Sequence, residues 1–511
     1  MRKVLLYICS VFILGGMTSC EDFLDKREDV GLTEDDIFRD YYSLRGFLDQ
    51  SFNQLENVMV MDNWENGRAF VGLFADEMAT TDNSSAVFTL HSGNWLSNAK
   101  SNKTFEIGNA GSTAISRSYK ALRINNRIIN DIDKAPLTPE QKNEILGQAY
   151  FYRSWFYFQI IKRYGGMPII DKVFEGGDDD IPRMTYHESH DWMMEDIQKA
   201  IYMLPDSWDD PNYGRPTKIA AMALKEWAQL FDASPLMQND LNSTENKGYD
   251  TERAKSAAKS AYEVIRYMDG SKSAPYPYGL ASKEEYTNVF YFKYPPVHQP
   301  EYIWVKRQFP NAANQNQKRT IRTFWQYEDL AFGSGPDGNS MCCPSLNIVN
   351  MFDKKGADGI YYPIDDPRSG YALDYDHKPF EDRDPRFYNN ILLPGTTWGH
   401  YADGRTYYIT TYKGGAAYQH MLTQKDCNKR MFTGFMCKKF MWPECNQYLE
   451  KNNPNCWWDY RFLTIYIRAS QIYLDYAEAL FEGCGSATAT IEGCPISVSY
   501  THLRAHETLA N

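Results

Sequence analysis

Apolar residues recur at helical spacing through much of the first half of this chain. The segment TPEQ at 138–141 predicts an N-cap threonine, a proline at the first helical position and a capping-box glutamine. The helix that it opens continues to the glycine pair at 165–166, which is a stop signal. Thr185 and Glu188 repeat the capping box and open another helix, which ends before Pro205. Start and stop signals therefore agree for both helices.

The predicted buried faces combine alanine with large aromatic residues. Small residues let helices approach closely, and large rings fill the space beside them. Paired helices of this kind predict a mostly α-helical fold with tetratricopeptide-like repeats, although no strict period of about 34 residues is visible. Gly270 is expected to cap the last of these helices. The predicted faces are Ile115, Tyr119, Leu122, Ile129 and Ile132; Met193, Ile197, Ile201 and Leu204; Ala220, Ala223, Leu224, Trp227 and Phe231; Ala254, Ala257, Ala261, Ile265 and Met268; and, near the C-terminus, Ile467, Gln471, Leu474, Ala477 and Phe481.

The chain changes character after residue 270. Residues 20–270 form the predicted N-terminal helical region, whereas residues 271–460 are rich in Pro, Gly, Asn, Asp and aromatic residues and carry only short apolar runs. Residues 461–496 then begin a C-terminal helical region. Long loops on a rigid helical scaffold usually carry function, so 271–460 is the predicted ligand-binding region.

The N-terminus has the pattern of an export signal. Residues 2–3 are basic, residues 4–15 form an apolar run, and residues 18–19 form a small-residue cleavage site. The run is shorter than the roughly 20 apolar residues that a membrane-spanning helix needs. Cys20 follows directly and matches the lipobox of bacterial lipoproteins, in which that thiol carries acyl chains. We therefore predict that 1–19 is a lipoprotein signal peptide and that Cys20 tethers the body to a membrane; an ordinary secretory signal is the alternative.

Charge and aromatic content narrow the choice of partner. The chain has 66 acidic against 54 basic side chains and no long basic run, which disfavours nucleic acid. Aromatic residues make up 15% of the chain, and many lie in stretches rich in Asn, Gly and Pro, where a core role is less natural. Flat rings with polar tips suit the faces of sugars. Composition alone does not separate sugar binding from ordinary packing.

Signals for catalysis or metal binding fail their tests of spacing. The carboxylates at 76–77 and 178–180 give no indication of the paired geometry that a glycosidase requires. His187 and His190 lack the HExxH spacing and are interpreted as surface residues. The segment DYDHKPFEDRD at 374–384 offers oxygen ligands for Ca²⁺, but without the spacing of an EF-hand. We therefore predict no catalytic residue and no cofactor, with calcium kept as the weaker alternative.

Most of the cysteines lie in the body of the chain rather than in the signal. Cys427, Cys437, Cys445 and Cys456 lie close together in sequence, but their spacing matches neither a paired CxxC zinc pattern nor a redox motif. In an exported protein, disulfide bonds are the first expectation for such residues.

A series of segments resembles, in the same order, the landmarks of the SusD/RagB family of nutrient-binding outer-membrane lipoproteins. The resemblance implies a helical, tetratricopeptide-like protein that is lipid-anchored at the cell surface. It also implies a lid on a SusC-like TonB-dependent transporter, which captures glycan, or in some members peptide, for import. The family is one of binding proteins, and a surface glycoside hydrolase is the alternative from another class. The segments are CEDFLDKREDVGLTEDDIF after the lipobox, AYFYRSWFYFQIIKRYGGMPII, GRPTKIAAMALKEWAQLFDASPL, DRDPRFYNNILLPG and YIRASQIYLDYAEAL.

The resemblance also indicates where ligand would bind. In members of known ligand, loops on the helical scaffold present Trp and Tyr rings that stack on sugars. The matching stretches here are HSGNWLSN at 91–98 and RTIRTFWQYEDL at 319–330. A place in the core or in the transporter interface is the alternative for each tryptophan. The predicted ligand-binding residues are Trp95 and Trp325 as stacking platforms, Asn94, Arg322 and Tyr327 as polar partners, and Tyr291 and Tyr294 as further contacts.

The end of the chain departs from the family pattern. After YAEALFEG, where the family continues with further helical segments, the sequence runs out in CGSATATIEGCPISVSYTHLRAHETLAN. The peptide VSYTHLRAHET resembles translated sequencing adapter. Residues 497–511 are therefore interpreted as a non-native tail on a truncated chain, which leaves the pairing of Cys484 and Cys494 open.

Overall fold

Helices dominate the part of the chain that the structure describes. The computed structural model describes residues 33–55, 77–79, 114–174, 180–239, 247–273, 276–290, 299–307, 343–374, 376–400, 406–415, 433–439, 463–491 and 493–494. The prediction of a mostly α-helical, tetratricopeptide-like fold is confirmed. The helices are α1 (Glu34–Phe38), α2 (Tyr41–Gln54), α3 (Ala114–Asp131), α4 (Pro139–Tyr164), α5 (Tyr186–Met203), α6 (Lys218–Ala233), α7 (Thr251–Gly270), α8 (Lys283–Val289), α9 (Leu346–Asn350), α10 (Pro385–Asn390) and α11 (Ala469–Cys484).

The long helices pack in chain order. Each of α2 to α7 packs against the next, and α11 extends the series by packing against α7 and α6. One large apolar core runs through this stack. Among the described residues, no helix combines the length and the apolar character that crossing a bilayer requires.

Both predicted capping boxes are confirmed. Thr138 Oγ1 accepts a hydrogen bond from the backbone N–H of Gln141 at 3.3 Å, and the Thr138 N–H donates to Gln141 Oε1 at 3.0 Å. Thr185 and Glu188 make the same reciprocal pair at the start of α5. At the other end of α4, Gly165 has a φ of 76°, which a glycine adopts without strain. These local signals therefore fix where the helices begin and end.

Small residues set the distances between neighbouring helices. A Cβ atom on Gly147 of α4 would lie 3.1 Å from the backbone nitrogen of Leu204, directly after α5. A Cβ atom on Gly483 of α11 would lie 3.1 Å from the backbone nitrogen of Lys255 on α7. The predicted alanine-rich face of α7 is fully buried, as are its large neighbours Ile265 and Met268. The prediction of close helix approach is therefore confirmed for α7.

The predicted face of α3 is only partly right. Leu122 and Ile132 are buried, but Tyr119 is 40% exposed and Ile115 only partly buried. The buried side includes Ile128 instead, because α3 packs between α2 and α4 and presents apolar residues to both.

The C-terminal helix buries a different face from the predicted one. Its first predicted residues belong to a strand that ends at Arg468, and the helix begins at Ala469. Leu474 and Phe481 are more than half exposed, at 53% and 55%. The contact with α7 and α6 instead buries the row that contains Ile472, Tyr476 and Leu480. Gly270 was also misassigned as a cap, because α7 includes it and a 3-10 turn follows at Ser271–Ser273.

A buried ion pair links the first helices of the stack. Arg153 on α4 donates from Nε to Asp196 Oδ2 at 2.6 Å and from Nη2 to Oδ1 at 2.8 Å, with both side chains almost fully buried. Arg153 also donates to Asn126 Oδ1 on α3 at 3.0 Å, and the amide of Asn126 donates to the carbonyl of Ile170 at 3.0 Å. A bidentate pair with its remaining donors satisfied avoids the cost of an isolated buried charge. The pair therefore fixes α3, α4 and α5 in one arrangement.

Short antiparallel strand pairs connect the segments outside the helical stack. The longest joins residues far apart in the chain, with Leu463 opposite Arg307 and Arg468 opposite Tyr302. The described strands are β1 (Met78–Ala79) with β3 (Cys343–Pro344), β2 (Tyr302–Arg307) with β10 (Leu463–Arg468), β4 (Lys354–Lys355) with β5 (Tyr361–Tyr362), β6 (Ile391–Leu392) with β9 (Met436–Cys437), and β7 (Thr397–His400) with β8 (Thr406–Tyr408).

Candidate functional site

Two distant parts of the chain are held side by side by β1 and β3. Ala79 pairs with Cys343, and Met78 pairs with Pro344. The backbone N–H of Ser345 also donates to the carbonyl of Glu77 at 2.9 Å. Ala79 leads into residues 80–113, and Cys343 follows residues 308–342. The pairing therefore places the start of one candidate ligand segment beside the end of the other.

The residues predicted to bind ligand lie outside the described residues. This holds for both stacking platforms, for their polar partners and for the lipid-bearing cysteine. Their roles remain predictions. The described residues that flank these segments in the chain are called the frame of the candidate site below. The residues concerned are Asn94, Trp95, Tyr291, Tyr294, Arg322, Trp325, Tyr327 and Cys20.

A buried glutamate fixes the start of β2 in this frame. Glu301 is fully buried, accepts a hydrogen bond from the Ala281 N–H at 3.1 Å and accepts another from Ser470 Oγ at 3.1 Å. Arg468 lies 3.3 Å from the same carboxylate. Since the charge and its acceptor oxygens are satisfied, the carboxylate stabilises this junction. It joins the approach to α8, the start of β2 and the start of α11.

Many aromatic residues of the described chain belong to the core rather than to a ligand surface. Trp304 of β2 is 2% exposed and makes edge contacts with Trp155 and Phe151, with ring centroids 4.7 and 4.8 Å apart. Tyr466 of β10 joins the same cluster at 4.7 Å from Trp304. Such pairs add about 0.5–1.5 kcal/mol beyond the burial of their area. The aromatic-rich segment EYIWVKRQF therefore owes its tryptophan to packing.

An open cavity lies on the outer side of this aromatic cluster. Its volume is about 240 Å³, and its walls come from the loop between α5 and α6, the end of α7, the approach to α8 and strand β2. Several aromatic rings line the wall, and carboxylates, hydroxyls, one amide and one guanidinium contribute polar groups. The lining includes Asp206, Trp208, Tyr267, Tyr276, Gln299 and Trp304.

Hydrogen bonds hold the walls of the cavity in place. The indole N–H of Trp208 donates to the carbonyl of Pro216 at 2.8 Å, and that of Trp304 donates to the carbonyl of Gly214 at 3.2 Å. The hydroxyl of Tyr267 donates to Asp206 Oδ1 at 2.6 Å. Burial raises the pKa of Tyr267, so this hydroxyl stays protonated and keeps its role as donor at neutral pH. The rings are thus fixed before any ligand arrives.

One polar atom of the cavity has no partner among the described residues. The side-chain oxygen of Gln299, Oε1, is buried and accepts no hydrogen bond. A buried acceptor without a donor is costly, by about 1–3 kcal/mol, and such groups usually have a functional explanation. Gln299 directly follows residues 291–298, which carry Tyr291 and Tyr294. Sequence reasoning missed Gln299, since nothing in its neighbourhood distinguishes it from other polar loop residues.

The segment considered for calcium is organised around an arginine instead. The guanidinium of Arg383 is almost fully buried and donates to the carbonyls of Val349 at 2.6 Å, Pro379 at 3.1 Å and Phe352 at 3.2 Å. Burial lowers the pKa of Arg383, but the carbonyl oxygens compensate its charge. Arg383 thereby ties the turn before α10 to the end of α9.

Carboxylates of the same segment already have protein partners. Asp374 Oδ1 contacts His377 Nδ1 at 2.6 Å, and this hydrogen bond lowers the pKa of Asp374. Asp384 accepts hydrogen bonds from Arg386 and caps α10. Within the described ranges, no group of three or more His, Cys, Asp or Glu residues is arranged to hold a metal ion. Calcium binding in this segment remains a prediction.

The interpretation of the histidines as surface residues is wrong for His190, whereas His187 is partly exposed. His190 is 3% exposed, and His187 Nδ1 lies 2.7 Å from Asp232 Oδ1. Asp232 is itself buried and also pairs with Arg253. Because these side chains come from α5, α6 and α7, the cluster joins three helices of the stack.

The expectation of a disulfide bond is wrong for Cys437, and Cys484 and Cys494, whose pairing was left open, do not pair either. Cys437, Cys484 and Cys494 are free thiols. Cys437 lies in β9, and its thiol donates to the carbonyl of Lys439 at 3.2 Å. Burial raises the pKa of Cys437 to about 12, which keeps the thiol protonated and unreactive. Cys427, Cys445 and Cys456 lie outside the described residues.

Comparison with protein families identifies the scaffold. A family model described as starch-binding and associating with the outer membrane matches residues 22–226, and the model of the SusD family matches residues 300–492. The chain belongs to the SusD/RagB family. The first match covers α1 to α5 and the start of α6, and the second covers the segment from β2 to α11. No curated protein matches this SusD/RagB chain.

Solved structures of SusD-like proteins share the fold. A SusD-like protein from Bacteroides fragilis is 21% identical, with 93% of this chain and 80% of that chain covered and a TM-score of 0.64. A SusD-like carbohydrate-binding protein from the same species is 17% identical, with the same coverage and a TM-score of 0.60. A laminarin-binding SusD-like protein is 16% identical, with 92% and 87% covered and a TM-score of 0.51. At these identities the likeness establishes the fold alone.

Proposed function

We propose that this SusD/RagB protein captures oligosaccharide at the outer surface of the cell and delivers it to a SusC-like TonB-dependent transporter. Cys20 would carry the lipid anchor that holds it in the outer membrane. The observation that carries the proposal is the pairing of Ala79 with Cys343 on this family's scaffold, because these residues directly flank the segments of the chain that contain Trp95 and Trp325. Carbohydrate binding by similarly folded proteins supports the choice of ligand.

The mechanism follows from the chemistry of the predicted residues. Trp95 and Trp325 offer flat rings to the apolar C–H faces of sugars, while Asn94, Arg322 and Tyr327 bind their hydroxyl groups. Tyr291 and Tyr294 add further contacts. A site at a protein rim with few buried polar groups binds in the micromolar to millimolar range. Modest affinity suits a protein that must release its ligand into a transporter.

Binding and hydrolysis are separated by one experiment on the purified protein. Calorimetry against panels of soluble glycans and of peptides measures binding, and an assay for new reducing ends on the same glycans measures hydrolysis. We expect binding of at least one glycan and no new reducing ends. Peptide binding without glycan binding would identify a peptide-capturing member, and new reducing ends would identify a glycoside hydrolase; either result contradicts the proposal.

The transporter partner requires a separate experiment in the native membrane. Affinity purification of the tagged protein from outer membranes is expected to recover a TonB-dependent transporter in a stoichiometric complex. A variant with Cys20→Ser provides the control, because it lacks the predicted anchor. Recovery of the protein without any transporter, from membranes in which it is anchored, would contradict the role as a lid.

A further inference from the structure

We propose that the cavity beside β2 binds a protonated amine, held between the carboxylate of Asp206 and the aromatic rings of the wall. This second site does not depend on the proposed function, because its recognition groups are described residues of the helical stack, its loops and β2. The juxtaposition that carries it is an acidic entrance above a cavity that aromatic rings line.

The carboxylates of the cavity lie at its open side. Asp206 and Asp210 are exposed, whereas Tyr302 and Trp304 are buried and close the floor. Pockets for drug-sized ligands usually occupy about 300–1,000 Å³. At about 240 Å³ this cavity is smaller, so it has room for one end of a ligand, such as an aminoalkyl chain or a single amino sugar ring.

The excess charge around the cavity is negative. Among the described residues that line it, the one cation is Arg215. Its Nη1 lies 2.6 Å from Asp49 Oδ1, its Nη2 donates to Asp49 Oδ2 at 2.8 Å, and its Nε donates to Asn212 Oδ1 at 3.2 Å. The guanidinium is therefore neutralised, and its nitrogens are engaged outside the cavity. The carboxylates of Asp206 and Asp210 remain, which disfavours an anionic ligand and favours a cationic one.

Several hydrogen-bond donors of the wall are already in use. The indole N–H groups of Trp208 and Trp304 donate to backbone carbonyls, and the hydroxyl of Tyr267 donates to Asp206 Oδ1 at 2.6 Å. These groups therefore present ring surfaces and acceptor oxygens to a ligand, and the ligand must supply the donors. An ammonium group has three donors and no acceptor, which matches this wall.

Aromatic rings beside a carboxylate are typical surroundings of a bound ammonium group. Trp208 is only partly buried, and Tyr276 is 47% exposed at the entrance, so a ligand can reach both rings. Burial raises the pKa of Tyr278, and the negative charge of Asp206 adds to this effect, so the field of the carboxylate extends into the wall. A cation in the cavity would gain from the rings and from the carboxylate together.

A guanidinium group is the competing cation. Its N–H groups form a planar fork, which binds best to a carboxylate with both oxygens open. Asp206 Oδ1 already accepts the hydrogen bond from Tyr267, so Oδ2 is the oxygen that keeps its full acceptor capacity. A compact ammonium group needs only one such oxygen. The cavity therefore suits an amine better than a guanidinium.

The test titrates the full chain with two amines and their acetylated counterparts, monitored by saturation-transfer NMR at about pH 6.5, where both amines are protonated. The pairs are Nα-acetyl-lysine methylamide with its Nε-acetyl form, and glucosamine with N-acetylglucosamine. We expect millimolar binding of at least one amine, because a ligand of this size makes few contacts. Its acetylated form should bind at least about tenfold more weakly, because it lacks the charge. Binding of the lysine derivative alone identifies a peptide amine, binding of glucosamine alone identifies an amino sugar, and each supports the inference.

Variants assign the binding to this cavity. Asp206→Asn keeps an acceptor for Tyr267 but removes the charge, so it should weaken amine binding by about fivefold or more at low ionic strength. Tyr276→Ala should weaken it by about threefold. Asp209→Asn is the matched control, because Asp209 is an exposed carboxylate of the same loop that does not line the cavity. Tyr202→Ala is the second control, since Tyr202 is 85% exposed on α5.

Both controls should bind amine as the parent does, and circular dichroism should show unchanged melting for all four variants. Four results would each overturn the inference: no binding of either amine, equal binding of an amine and its acetylated form, equal binding by Asp206→Asn, or preferential binding of methylguanidinium. Oligosaccharide binding that persists in such a case leaves the proposed function standing, so the two failures are distinct.

Discussion

The carboxyl group of Glu226 on α6 lies close enough to that of Asp475 on α11 for the two groups to interact electrostatically. Glu226 is fully buried, and neither of its oxygens meets a donor among the described residues. Burial raises the pKa of Glu226 well above its usual value and raises that of Asp475 to about 7. Two carboxyl groups this close cannot both ionise without strong repulsion, so they share at least one proton in the folded protein.

This pair should make stability depend on pH. The folded state holds protons that the unfolded state releases between pH 3.8 and about pH 7, so the contribution to stability is complete below the unfolded value and is lost as pH rises through the folded one. Glu226→Gln should therefore raise the free energy of unfolding at about pH 8 by on the order of 2 kcal/mol, with a smaller effect at about pH 5.

Urea unfolding of parent and variant at both pH values measures this difference. Glu252→Gln is the matched control, because Glu252 lies on the exposed side of α7 and is mostly solvated. A stability gain of equal size at both pH values would show that Glu226 does not titrate in this range.

The second prediction concerns the turn after α4. A Cβ atom on Gly166 would lie 2.1 Å from the carbonyl oxygen of Met184, in backbone that side-chain motion cannot relieve. Gly166→Ala should therefore destabilise the fold by at least about 2 kcal/mol, seen as a lower midpoint in thermal unfolding. Gly46 in α2 has open space around it, so Gly46→Ala should stabilise by about 1 kcal/mol through helix propensity. Similar midpoints for both variants would refute the close approach.

The third prediction addresses the stacking platforms. Trp325→Ala should reduce glycan affinity at least about tenfold, which is the loss of roughly 1.4 kcal/mol that a stacking contact contributes. The melting temperature should stay close to that of the parent, because a ring that serves the ligand contributes little to the core. Trp304→Ala is the contrasting variant, since Trp304 is buried and its removal should lower the melting temperature. Unchanged glycan affinity would remove Trp325 from the site.

The fourth prediction addresses the anchor. Cys20→Ser removes the thiol that the lipobox pattern marks for acylation, so the protein should move from the membrane fraction to the soluble fraction. Fractionation followed by immunoblotting measures the distribution, with Cys484→Ser as the control because Cys484 is an exposed free thiol in α11. Full retention of Cys20→Ser in membranes would contradict the lipid-anchor prediction.

Sequence patterns predicted the features that depend on near neighbours in the chain. The capping boxes at Thr138 and Thr185 involve residues three positions apart, and the structure contains both. The alanine face of α7 was equally clear, because small residues at helical spacing leave little choice of buried side. Propensity and periodicity are local, and they sufficed for these helices.

Features that depend on distant partners could not be predicted in the same way. Packing against α7 and α6 determines which face of α11 is buried. The sequence of α11 has apolar residues on several sides, so its pattern alone does not show which side packs against these helices. Likewise, nothing in the segment DRDPR shows that the Arg383 guanidinium is buried among carbonyl groups. The cavity escaped prediction for a similar reason, since Asp206, Tyr276 and Gln299 meet only when separate loops are brought together.

The contact between Ala79 and Cys343 gives the predicted ligand segments fixed attachment points on the helical scaffold. Because this pairing fixes the residue before position 80 beside the residue after position 342, the chain between the fixed points can change in length while the helices keep their spacing, since a longer connection adds little closure entropy. We therefore expect relatives that bind different ligands to differ mainly in the residues that correspond to 80–113 and 308–342. The helical stack should then change little from one relative to another.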